Sequence, residues 1–162
     1  MRLYRIVPRK YLENYSGKGK SHENGARWNL PGESVLYFGT SASVAMLEMG
    51  NYIPKPKMVP KSYALGVYET RSTAIETLAL GDLPEGWDGF PYPSGTQAIG
   101  SDFLAGNRNL ILLVPSCAAG GLDHIAVVNP NHTDIETLRL VDSKARIYNP
   151  RLFTSGLTNE RR

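Results

Sequence analysis

Short runs of apolar, β-branched and aromatic residues, most of them continuous and one (135–142) alternating, are spread along the chain, separated by stretches rich in glycine, proline, serine and asparagine. "LYRIV" (3–7), "SVLYFGT" (34–40), "SYALGVYET" (62–70), "NLILLVPS" (109–116), "DHIAVVNP" (123–130) and "IETLRLVD" (135–142) read as strands. Two segments follow a helical spacing instead. "SASVAMLEMGNYI" (41–53) is a helix capped by Ser41 or Ser43, and the prolines of "IPKPKMVPK" (53–61) stop it. "TQAIGSDFLAG" (96–106) is a second helix, capped by Ser94 or Thr96. The segments 15–33 and 82–95 have no apolar period and are long for connections inside one domain, so they read as functional loops. Many strands and few helices predict an α+β fold with a mixed, mainly antiparallel β core.

Length and composition narrow this picture. A chain of 162 residues with 41% hydrophobic and 20% charged residues suits one core-bearing domain, set here at 1–153 with a flexible C-terminal tail at 154–162. No apolar run approaches the roughly 20 residues needed to span a bilayer, and the basic start "MRLYRIVPRKYLENY" lacks the apolar centre of a secretory signal. The single Cys117 excludes an intramolecular disulfide and a cysteine metal cluster. These absences predict a cytoplasmic protein with no membrane partner.

The net charge of +3 is unevenly spread. Residues 1–30 carry seven Lys/Arg against two Asp/Glu, residues 139–162 carry six against two, and the middle carries five against eleven. Basic ends suit a nucleic acid, a small phosphorylated ligand held by a few arginines, or plain solvated surface.

Four residues carry candidate chemistry. Arg27, on the "GARWN" loop (25–29), offers a planar fork suited to a phosphate or carboxylate, and equally suits a surface. Tyr37 points opposite to Leu36 and Phe38 on its strand, either as a core tyrosine or as a plate for a flat ring. Glu48 lies on a nearly all-apolar helix, where a carboxylate must be paired, used, or left in water at a frayed edge. Ser116 ends a strand after Pro115, where it either completes a turn or holds another group. No G-x-S-x-G elbow, phosphate-loop frame, dinucleotide-binding glycine pattern or metal spacing among His22, His124 and His132 is present.

Taken in order, "LYRIVP" (3–8), "GARWN" (25–29), "VLYFGTSASVAMLE" (35–48), "GWD" (86–88), "GTQAIG" (95–100), "LLVPS" (112–116), "VVNPNH" (127–132) and "YNPRLF" (148–153) resemble the RES-domain toxins of bacterial toxin–antitoxin pairs. The last segment has Tyr148 and Asn149 where the family usually has an acidic "FDPRL". The resemblance implies an ADP-ribosyltransferase-like fold that binds NAD as a substrate and breaks its nicotinamide–ribose bond. The acceptor it implies is water, phosphate or a protein target. By position it implies catalytic roles for Arg27, Tyr37, Glu48 and Ser116, and NAD contacts from Arg27, Tyr37, Arg5 and Trp87, with no metal. In that scheme Arg27, helped by Arg5, holds the pyrophosphate and Tyr37 stacks on nicotinamide. Glu48 faces the developing ribose cation, Ser116 orients Glu48 or the amide, and Trp87 closes the pocket. The implied partner is an antitoxin with a helix-turn-helix DNA-binding part; a homo-oligomer of the chain is one arrangement open within that complex, and the chain itself does not touch nucleic acid. The rival reading is a non-catalytic nucleic-acid-binding domain, whose affinity would fall steeply with salt.

Overall fold

The computed structural model describes residues 1–53, 58–149 and 152. The elements run β1 (Arg2–Pro8), α1 (Lys20–Asn24), β2 (Leu36–Gly39), α2 (Ala42–Gly50), β3 (Tyr63–Glu69), β4 (Ile75–Thr77), α3 (Ser94–Gly106), β5 (Ile111–Pro115), β6 (His124–Val128) and β7 (Arg139–Lys144). The strands form one seven-stranded sheet in the order β4-β5-β6-β2-β1-β3-β7. All neighbours are antiparallel except β4 and β5. The fold is therefore α+β with a mainly antiparallel core, as the many strands and few helices predict.

Pairing fixes which side chains share a face. Tyr4 sits opposite Gly39 and Leu3 opposite Tyr68. Leu3, Arg5, Phe38 and Tyr68 therefore share one face, and Tyr4, Ile6 and Tyr37 share the other. The first face carries a cluster built on Leu3, Leu36, Phe38, Tyr68, Ile111 and Val128, covered by loops and by a 3-10 turn at Thr133–Thr137. The second face carries the two longer helices. Trp28, Phe103, Leu112, Val114 and Val127 pack under α3, and Ile6, Ala45 and Leu65 pack under α2.

Local chemistry explains where the elements depart from the sequence reading. Ser41 is the cap of α2, accepting from Val44 N at 3.1 Å, and the helix ends at Gly50 rather than 53. α3 begins at Ser94 behind Pro93, with no side-chain cap. Thr96 is buried and donates to Pro93 O at 2.9 Å, so neither Ser94 nor Thr96 caps this helix. The 15–33 loop contains α1, too short to show a period and ended by Gly25 at φ +72°. The run 135–142 is not one strand. Its Ile135, Leu138 and Leu140 belong to a 3-10 turn, a link and β7, all packed on one cluster. That turn is held by Ser72 Oγ donating to Asp134 Oδ2 at 2.5 Å. β4 has only three residues, and no run in the sequence marks it. The tail at 154–162 lies outside the described residues. Among the described residues no helix is long and apolar enough to cross a membrane.

Candidate active site

The loop after α1 is a rigid mount. Ala26 and Asn29 exchange backbone hydrogen bonds across a tight turn. Helix α3 grips this turn from outside: Gln97 Nε2 donates to Ala26 O at 3.1 Å. Gly100 lies so close to Trp28 that a Cβ there would stand 1.8 Å from Trp28 O, so only glycine fits. Trp28 itself is buried, and Arg27 projects beside it, partly exposed.

Arg27 reaches the second long loop. Its Nη1 donates to Trp87 O and to Gly89 O at 2.9 Å, and its Nη2 donates to Asp88 O at 3.4 Å. The guanidinium lies 5.4 Å from the centre of the Tyr92 ring, and Nη2 is 3.7 Å from Cys117 Sγ. The arginine thus ties 87–89 to the mount, using the fork geometry that a lysine lacks. Trp87 takes part through its carbonyl, while its side chain is partly buried against the cluster under α3.

Tyr37 rises from β2 into the same region. Its hydroxyl donates to Asn29 Oδ1 at 2.7 Å. Burial pushes the phenol far above its ordinary value of 10.0, with Tyr52, Tyr92 and Glu33 acting in the same direction and the Trp28 backbone opposing. Tyr37 is therefore a neutral donor. Tyr52, beyond the end of α2, keeps 70% of its surface exposed. Its hydroxyl is nonetheless raised by burial and by a hydrogen bond with Tyr92, with Glu48 raising it further and Arg27 opposing.

Glu48 is placed by α2. Gly39 lets that helix lie close to the sheet, because a Cβ there would stand 2.7 Å from Ala45 N. Ser116 is fully buried; its Oγ donates to Glu48 Oε1 at 2.7 Å and accepts from Ala119 N at 3.1 Å. Asn51 Nδ2 donates to Glu48 Oε2 at 3.1 Å. Each carboxylate oxygen has a donor, which fixes its direction. Of the readings open from the sequence, pairing is what the structure shows: partly exposed Glu48 is met by two polar side chains.

The structure thus brings together Arg27, Tyr37, Glu48, Ser116 and Trp87 on the helix-covered face. Arg5 is not among them. It lies on the opposite face, donates to Asn14 O at 3.3 Å and sits 5.7 Å from the centre of the Phe38 ring. Burial lowers its pKa. The sheet separates it from Tyr37, so it cannot assist Arg27 at one anion. Asn29, Asn51, Tyr52 and Tyr92 were missed from sequence. Asn29 does close the "GARWN" segment, and Tyr92 lies among the crowded aromatics of 82–95, but neither was given a role.

The chain has recognisable relatives among known proteins. The family model for the RES domain matches residues 2–148. A protein of Yersinia enterocolitica named Toxin Res is 34% identical over 154 residues, covering 94% of this chain and 99% of that protein. A Prs ADP-ribosylating toxin of a Sphingobium species is 27% identical over 143 residues, covering 87% and 88% of the two chains. The fold is similar to a chain in the crystal structure of the M. tuberculosis MbcT–MbcA toxin–antitoxin complex, with a TM-score of 0.69 at 22% identity over 88% of this chain and 82% of that one.

Proposed function

The chain belongs to the RES-domain family, and from that premise we propose that it is the toxin of a toxin–antitoxin pair, binding NAD and cleaving its nicotinamide–ribose bond. The observation that carries the reading is the Glu48 carboxylate held by Ser116 and Asn51 on the same sheet face as a neutral, anchored Tyr37. Cleavage of this N-glycoside passes through an oxocarbenium-like ribose. Nicotinamide leaves with the bonding pair and becomes neutral. The ribose carbon then bonds to an oxygen of water or phosphate, and the proton released from that oxygen passes to solvent. A fixed carboxylate stabilises the cation and aligns the incoming oxygen, and Ser116 keeps it aimed. Tyr37 offers a flat partner for the nicotinamide ring. A pyrophosphate at Arg27 exchanges places with the carbonyls of Trp87, Asp88 and Gly89, so NAD binding and the position of that loop are linked.

A second acceptor, a protein side chain, is favoured by one feature. Phe90 and Leu122 are 82% and 91% exposed. The first follows the Arg27-bound Gly89, and the second follows Gly121, which lies near Trp87. Such a rim suits a macromolecule, whether a target or a covering antitoxin of the helix-turn-helix kind. Incubating the pure chain with NAD, with and without phosphate, and following products by NMR tests the reading. Free nicotinamide with ADP-ribose or its phosphate is expected. Intact NAD in both arms, together with growth arrest on expression, overturns free cleavage in favour of a protein acceptor.

A further inference from the structure

We infer that Asn29 is a positioning residue that sets the Tyr37 ring for the substrate's nicotinamide, an inference that rests on the NAD reading above. Asn29 is fully buried, and both N–H groups of its amide are taken: Nδ2 donates to Ser21 O at 2.8 Å and to Leu30 O at 2.9 Å. Those two carbonyls fix which end of the amide is nitrogen, because the reverse orientation would set three oxygens against one another. The carbonyl end is then left to Tyr37, whose hydroxyl donates to it at 2.7 Å. The side chain thus makes two bonds inward that hold the loop and one outward that holds a ring on a different strand. No other side chain of this length supplies two donors on one atom and an acceptor on the other: aspartate has no donors and serine does not reach.

The position of Asn29 gives the third bond its significance. It lies two residues beyond Arg27 in the same turn, and that turn is pinned by Gly100 and Gln97 of α3. The cation and the aromatic ring therefore share one mount, and the amide sets the spacing between them. A ligand with an anionic group and a flat ring at a set separation, as NAD has, reads that spacing.

The test is a cycle of Tyr37→Phe, Asn29→Ala and the double variant, reading KM and kcat for NAD, the melting temperature, and the Tyr37 hydroxyl proton by NMR. Tyr37→Phe keeps the ring and removes only the hydroxyl. It is expected to raise KM about 3- to 10-fold with kcat within about twofold, the size of one neutral hydrogen bond. The double variant is expected to be no worse than Asn29→Ala, because both changes remove the same contact. In the wild type the hydroxyl proton should exchange slowly, and in Asn29→Ala it should not be seen. A Tyr37→Phe variant with wild-type KM and a lower melting temperature makes the contact merely structural and overturns the inference. If Asn29→Ala does not fold, Tyr37→Phe decides the matter alone. A wild type that binds no NAD overturns this inference with the reading beneath it, whereas normal NAD turnover with unchanged KM in Tyr37→Phe overturns this one only.

Discussion

The two faces of the sheet carry the same three devices and use them differently. On the loop-covered face, Ser72 donates to Asp134, Arg5 lies over Phe38 while donating to Asn14 O, and the Tyr68 hydroxyl donates to Leu12 O at 2.8 Å. On the helix-covered face, Ser116 donates to Glu48, Arg27 lies over Tyr92 while donating to loop carbonyls, and the Tyr37 hydroxyl donates to Asn29. What differs is the surroundings. Tyr68 is fully buried, with Phe38 at 5.0 Å and Tyr15 at 6.3 Å edge-on to it. Tyr37 is only partly buried and has two further tyrosines as neighbours. A serine–carboxylate pair, an arginine over a ring and an anchored tyrosine are thus ordinary structural parts. They become candidate machinery only where the side chains converge with surface still open to a ligand.

Matched substitutions across the sheet test this contrast. The largest effect is expected at the carboxylates. Glu48→Gln should lower kcat for nicotinamide release by about 10²- to 10³-fold with little change in KM. Its melting temperature should stay near wild type, since Gln can still accept from Ser116. Asp134→Asn should leave kcat unchanged. Equal losses from the two would erase the distinction between the faces.

Next come the arginines. Arg27→Lys keeps the charge but cannot reach three loop carbonyls, and kcat/KM should fall about 10-fold or more. Amide exchange at 87–89 should quicken in the same variant. Arg5→Lys should change kcat/KM less than about twofold while lowering the melting temperature. Activity loss at Arg5 with none at Arg27 would reverse the assignment of the faces.

A third test addresses the mount. Gly100→Ala forces Trp28 O away and should cost about 1–3 kcal/mol, read by denaturant titration. A folded Gly100→Ala protein should also bind NAD more weakly. Wild-type stability there would show that the turn moves freely.

The smallest effects are expected from pH. Burial raises the Tyr68 phenol to about 12, and Tyr37 is raised as well. The fold holds both protons more tightly than the unfolded chain does. Their contribution is therefore complete below the ordinary value of 10.0 and lost as pH climbs beyond it. Tyr68→Phe should flatten the decline of stability between pH 10 and pH 12, at a cost near neutrality of about 1 kcal/mol from the lost bond to Leu12. Tyr37→Phe should flatten it too, and it alone should move KM. An unchanged alkaline limb in both variants would remove tyrosine ionisation as the cause.

Much of this was readable from the chain because the signals are local. β-branched runs gave the central strands, Ser41 and Ser43 together announced α2, and period two put Tyr37 opposite Leu36 and Phe38. The ordered segments also named Arg27, Glu48 and Ser116 before any geometry joined them. The failures are non-local. Nothing near Asn29 or Asn51 shows that their amides meet Tyr37 and Glu48, because short polar residues in loops look alike until a partner is placed. Arg5 follows a motif residue by residue, yet pairing of β1 with β2 and β3 turns it to the other face. The run 135–142 failed because a 3-10 turn and a strand can present apolar residues to one core at similar spacing.

The contact between Gly100 and Trp28 O also bears on motion. Backbone lies against backbone there, so no side chain can swing to open the turn, and Gln97 ties the same helix to Ala26. A displacement of Arg27 large enough to carry its turn must take α3 with it. That is a collective shift of a 13-residue helix on a packed face, which belongs to the microsecond-to-millisecond range rather than to the nanosecond flicker of a free loop. Relaxation dispersion on the amides of 26–29 and 94–106 should then report one common exchange process, with the strands beneath silent.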